Sequence, residues 1–125
     1  GDCFGGGVVL NMARQGADLD AVATFHGSIG AIEEATPGSV KAQILVMNGA
    51  DDPFVSEDAI ASFKTEMDSA RVNYEFVNYE GAVHAFTNPG ATAKGEEFEL
   101  PLAYNEDADK ASWEKLMKFL TDVFE

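Results

Sequence analysis

The only cysteine of this chain stands in the stretch Gly1-Asp2-Cys3-Phe4-Gly5-Gly6-Gly7, a G-x-C-x-G-G frame that can present a nucleophile. A sharp strand-to-helix turn needs small residues two positions before and after its central residue, because a Cβ there collides with neighbouring backbone. Gly1 and Gly5 fill those places. On such an elbow the helix N-terminus favours a thiolate at Cys3, and the backbone N–H of Phe4 becomes one donor of an oxyanion hole. The bland alternative is a Gly-rich turn around a buried structural cysteine. A thiol that attacks an acyl carbonyl needs a base to move its proton and a carboxylate to fix the tautomer of that base. Further along the chain, Asp51 and Asp52 follow an apolar run, and His84 lies in Gly81-Ala82-Val83-His84-Ala85-Phe86. Cys3, Asp52 and His84 therefore offer nucleophile, acid and base in that order. Asp51 is the rival acid, its other reading being a solvated turn residue or loop cap. His26, at the end of another apolar run, reads as a hydrogen-bonded structural residue.

These residues need elements to position them. Gly6 to Gln15 carries Val8, Val9, Leu10 and Met12 with Gly16 as a C-cap, which predicts a helix buried on much of its surface. Ala21-Val22-Ala23-Thr24-Phe25-His26 and Gln43-Ile44-Leu45-Val46-Met47 are short continuous apolar runs, as in buried parallel strands. Ser28 to Ala42, with Gly30, Pro37 and Gly38, reads as a loop with room for one helical turn. Ser56 is placed to N-cap a helix whose apolar face is Ile60, Phe63, Met67 and Ala70. Val72 to Tyr79 alternates and predicts a strand near a sheet edge. The stretch from Thr87 to Asn105 has no clear period and reads as a long loop, either a lid or a disordered connection. From about Asp107, Trp113, Leu116, Met117, Leu120 and Phe124 mark the stripe of a closing amphipathic helix. The expected class is α/β, a short mostly parallel sheet flanked by helices. The acidic turn falls where a parallel sheet places its active site.

Composition excludes several functions. Eight basic and 22 acidic residues give a formal net charge of −14, with the acidic residues spread along the chain, which disfavours nucleic acid and anionic membrane as partners. No apolar run approaches a membrane span and no signal peptide is seen, so the cytoplasm is the expected location. A lone cysteine allows no internal disulfide and gives no C-x-x-C for thiol-redox work. No metal is expected, because His26 and His84 are far apart and no Cys/His cluster is apparent in the sequence. No dinucleotide fingerprint is present, and no cofactor is expected.

As a set, the motifs resemble the dienelactone hydrolase family, the branch of the α/β-hydrolases that uses cysteine where most relatives use serine. The matching stretches are Gly1-Asp2-Cys3-Phe4-Gly5-Gly6 at the elbow, Gly49-Ala50-Asp51-Asp52-Pro53-Phe54-Val55 as the acid turn, and Gly81-Ala82-Val83-His84-Ala85-Phe86 as the histidine turn. The spacings between them, Phe25-His26-Gly27, and the approach from Ala103-Tyr104 to Trp113 look similar as well. The resemblance implies a triad of Cys3, Asp52 and His84, with Phe4 N–H as an oxyanion donor. It implies hydrolysis of a small ester or lactone through an acyl-thioenzyme. It spans the whole chain, residues 1–125, as one domain, but only the C-terminal half of the family fold. Only Gly1 and Asp2 precede Cys3, so the N-terminal strands are expected to be missing. That half supplies the family's second oxyanion donor and the acidic residue that holds the resting thiol. The family's substrate-binding arginine after the histidine is replaced here by Phe86-Thr87-Asn88-Pro89, so the expected substrate is a neutral ester or lactone. The alternative is an inactive half-domain that associates through the edge at Ala21 to His26, as a homodimer or with a partner chain.

Overall fold

The computed structural model describes residues 1–124. In chain order the elements are α1 (Cys3–Arg14), β1 (Ala21–Phe25), β2 (Gln43–Gly49), α2 (Glu57–Ser69), β3 (Tyr74–Tyr79), α3 (Ala91–Phe98) and α4 (Glu106–Phe124). The three strands form one parallel sheet in the order β1-β2-β3, with Ala21 opposite Gln43 and Ile44 opposite Tyr74. β2 is central, and its residues from Ile44 to Gly49 are all buried, which is why it reads as a continuous apolar run instead of an alternation. Ile44 and Val46 point to one face, where Leu10 and Ala13 of α1 and Phe63 and Met67 of α2 close the core. Leu45 and Met47 point to the other, against Phe25, Leu116 and Phe119. The result is a helix layer on each side of the sheet.

Local chemistry explains the element ends that matter. The Ser56 hydroxyl accepts from Ala59 N at 3.0 Å and starts α2, with Glu57 and Asp58 in the first turn. Arg14, at the end of α1 and only 4 % exposed, donates through Nε and Nη2 to Glu66 of α2, both at 2.9 Å. Its guanidinium also reaches the Ile29 and Gly30 carbonyls. Ala35 N donates to the same Glu66 carboxylate at 2.8 Å. One buried ion pair thus ties the long β1–β2 loop to both helices on that face.

Three expectations are corrected. The stretch from Thr87 to Asn105 is not irregular or disordered: it contains α3, anchored by buried Ala91 and Gly95, and then returns to the histidine turn. Leu102 bridges His84, and Asn105 N donates to Phe86 O at 3.0 Å. An eight-residue helix with a glycine inside carries too little apolar period to be seen in sequence. Second, α4 is rotated from its expected stripe. Ala108 and Ser112 are buried, Leu116 and Phe119 pack on the sheet, and Trp113, Met117 and Phe124 stay exposed. Ala108 packs against Ala82 and Phe86 of the histidine turn, and Trp113 reaches only the rim, its ring 5.1 Å from that of Phe25. Third, α1 buries one side only, and Phe4, Val8 and Met12 line its exposed face.

The edge at β1 also differs from the open edge expected. Asp2 forms a parallel bridge with Phe25, Gly1 N donates to Ala23 O at 2.9 Å, and Phe25 N donates to Gly1 O at 3.0 Å. The first two residues therefore lie as a stub of strand along the C-terminal part of that edge.

Candidate active site

Cys3 opens α1 with φ +45°, a left-handed conformation that costs a non-glycine residue energy. His26, just past β1, has φ +41°, and Ala85, beside His84, has φ +62°. Three of the five non-glycine residues with positive φ among the described residues thus converge on one end of the sheet. That end is the carboxyl end of the parallel strands, where open α/β sheets place their sites.

Packing at the elbow depends on Gly1, Gly6 and the Gly27 that Gly6 meets. A Cβ on Gly1 would stand 2.7 Å from Gly5 C and O, and one on Gly6 would stand 2.8 Å from Gly27 Cα. A Cβ on Gly5 would meet nothing within 4 Å. The second obligatory glycine is therefore Gly6, where α1 crosses the end of β1, and not Gly5 as the elbow frame suggests.

The acid is unambiguous in geometry. Asp52 is 3 % exposed; its Oδ1 accepts from Phe54 N at 2.9 Å and its Oδ2 lies 2.9 Å from His84 Nδ1. Asp51 is exposed, with its N–H donating to Ala82 O at 2.9 Å. That bond joins the acid turn to the histidine turn. With Nδ1 committed to Asp52, His84 has Nε2 free, and its ring is flanked edge-on by Phe54 at 5.1 Å.

Cys3 Sγ does not hydrogen-bond to His84. It lies 3.2 Å from Nδ1 of His26, whose Nε2 is 2.8 Å from the Thr87 hydroxyl. His26 is 2 % exposed, with Phe86 edge-on beneath it at 5.2 Å and His84 at 5.7 Å. Burial is the main cause that holds the His26 imidazole below its ordinary value of 6.5, so it is neutral at neutral pH. A neutral ring that donates from Nε2 to Thr87 accepts the Cys3 S–H at Nδ1. His26 is hydrogen-bonded, as its sequence position suggests, but its partner is the nucleophile candidate. Neither this pairing nor Thr87 was visible in sequence, since the only available signal was a histidine at a strand terminus.

The thiol is not poised as a free thiolate. Burial first, then the carboxylates of Asp2 and Asp52, push Cys3 above its ordinary 9.0. Phe4 is the second residue of α1, so its N–H has no acceptor within the helix and faces the site end. Cys3, His26 and His84 bring one donor atom each to within 4.8 Å of one another. The sequence expectation that no Cys/His cluster exists is thereby corrected: residues far apart in the chain are gathered by the parallel strands.

Three parallel strands between helix layers, with His26, Asp52 and His84 just past the ends of β1, β2 and β3 and Cys3 at the start of α1, define about half of an α/β-hydrolase fold. The chain belongs to the dienelactone hydrolase family, whose model matches residues 1–124. It is 31 % identical to an uncharacterized protein of Caenorhabditis elegans over 99 % of this chain and 78 % of that protein. Among solved structures it is similar to m3DLH, at 36 % identity and a TM-score of 0.87. It is also similar to a dienelactone hydrolase-like promiscuous phosphotriesterase from metagenomic libraries, at 33 % identity and a TM-score of 0.85. Both likenesses cover all of this chain and 51 % of the other, so the chain spans about half the length of these solved relatives. Among the described residues no helix is long and apolar enough to cross a membrane.

Proposed function

We propose that this chain carries the catalytic triad of an ester or lactone hydrolase: Cys3 as nucleophile, His84 as base and Asp52 as its orienting acid. The observation that carries this reading is the 2.9 Å bond from His84 Nδ1 to a fully buried Asp52 side chain, with His84 within 4.8 Å of Cys3. Cys3 first leaves His26 and turns toward His84 Nε2. The S–C bond then forms as the thiol proton passes to Nε2, and the carbonyl oxygen gains negative charge against Phe4 N–H. Collapse expels the alcohol, which takes the proton from His84. Water then attacks the thioester with its proton passing to Nε2, and Cys3 departs and is reprotonated. Asp52 fixes the tautomer and stabilises the imidazolium in both halves.

A neutral substrate fits the residues present. Arg14 is consumed by Glu66, so it is not free to hold a substrate carboxylate, and acidic residues outnumber basic ones 22 to 8. Hydrolysis of p-nitrophenyl acetate by this chain, beside Cys3→Ala and His84→Ala, tests the reading. Turnover lost in both variants, each folded by circular dichroism, is expected; equal rates in all three overturn it.

A second reading, a half-domain that associates without turnover, is favoured by one specific feature. Phe4, Val8, Met12 and Ile32 are exposed around one apolar hollow, while Trp113, Met117 and Phe124 are exposed on α4, on the opposite side of the sheet. With the incompletely covered β1 edge, they offer a partner chain or second copy a strand edge and two helix faces.

A further inference from the structure

The cluster at the site holds more than the triad uses. A thiolate and two imidazoles form the donor set that zinc-class cations select, and tetrahedral zinc with three protein ligands keeps a fourth position for water. Bond lengths of about 2.3 Å to sulfur and about 2.0 to 2.1 Å to nitrogen place such donors roughly 3.3 to 3.6 Å apart. Cys3 Sγ and His26 Nδ1 are 3.2 Å apart, and His84 completes a set whose three atoms lie within 4.8 Å.

The outer contacts orient both rings for this task. A metal-bound histidine characteristically commits its other nitrogen to a carboxylate, carbonyl or similar group, which fixes the ring and its tautomer. His84 commits Nδ1 to Asp52, leaving Nε2 as the ligand atom. His26 commits Nε2 to the Thr87 hydroxyl, leaving Nδ1. Of these, His26 Nδ1 already lies 3.2 Å from Cys3 Sγ.

We propose that Cys3, His26 and His84 form a binding site for a thiophilic divalent cation of the zinc class, and that a bound ion silences Cys3 as a nucleophile. On binding, the thiol proton is released to solvent and the sulfur lone pair that would attack a carbonyl is committed to the metal. The binding site stands on geometry alone, whereas the silencing rests on the hydrolase reading above.

Cobalt(II) titration of the reduced chain tests the site. One equivalent is expected to give a sulfur-to-cobalt charge-transfer band and tetrahedral visible bands, both removed by stoichiometric zinc. Cys3→Ser is expected to lose the charge-transfer band. His84→Ala and the more deeply buried His26→Ala are expected to weaken zinc binding at least about 10-fold, and Thr87→Val, which keeps its volume, about 10-fold or more. No band near one equivalent, or a band that survives in Cys3→Ser, overturns the site. In the p-nitrophenyl acetate assay, one equivalent of zinc is expected to stop turnover and EDTA to restore it; turnover unchanged at saturating zinc overturns the silencing. Cobalt binding at Cys3 in a chain without any turnover upholds the site and overturns the hydrolase reading instead.

Discussion

Cys3 touches one histidine and needs another. At rest its sulfur is 3.2 Å from His26, while the imidazole oriented by an acid is that of His84. The thiol therefore stays protonated until substrate arrives, because burial and the carboxylates of Asp2 and Asp52 oppose the thiolate. The sign is testable by alkylation. Thiolate is the reactive form, so a raised thiol reacts slowly near neutral pH and faster as pH climbs. Iodoacetamide modification of Cys3 is expected to rise with a midpoint above that of the same cysteine in the urea-unfolded chain. A rate already on a plateau near pH 7 would show a stable thiolate–imidazolium pair and contradict this account.

At the scale of elements, the site is set by where helices and turns cross strand ends. Gly6 lets α1 lie against Gly27, and its replacement by alanine would place a Cβ 2.8 Å from backbone that cannot rotate away. Gly6→Ala is expected to destabilise by about 1 to 3 kcal/mol through the forced shift of α1, while Gly5→Ala is expected to be neutral or to gain up to about 1 kcal/mol of helix propensity. Urea unfolding of both variants checks the contrast; equal effects would contradict it. The strands and α2 were legible in sequence because each carries its own signal: the apolar run of β2, the Ser56 cap and the Phe63–Met67 face. The acid and histidine turns could be located for a related reason, since each follows a strand that is itself readable. What could not be read was set by contacts between distant segments. The rotation of α4 depends on Ala108 packing against Ala82 and Phe86 of the histidine turn, α3 is held by its return to that turn, and the contact of His26 with Cys3 exists only once β1 lies beside the stub at Asp2.

On the scale of the whole molecule, the two faces of the sheet end in exposed apolar helix surfaces that a fold of this size leaves uncovered. Val8 and Met12 on α1 are 41 % and 44 % exposed, and Trp113 and Met117 on α4 are 50 % and 58 % exposed, more than isolated surface residues require. If these surfaces mediate association, the chain sediments as a dimer or larger at micromolar concentration. Met12→Lys together with Met117→Lys is then expected to weaken that association about tenfold or more, as charges are forced into an apolar contact. A monomer throughout the concentration range would count against the associating reading. It would leave the triad untouched, because Cys3, Asp52 and His84 all come from within one chain.

The central claim is that Cys3 attacks an acyl carbonyl with His84 as its base. Intact-mass analysis of the chain within seconds of mixing with p-nitrophenyl acetate tests it most directly. The account predicts a mass increase of one acetyl group, mapped to Cys3 by peptide analysis, which decays as the thioester hydrolyses and which His84→Ala fails to form at a comparable rate. No acetyl group on Cys3, or one that forms equally fast in folded His84→Ala, would contradict it.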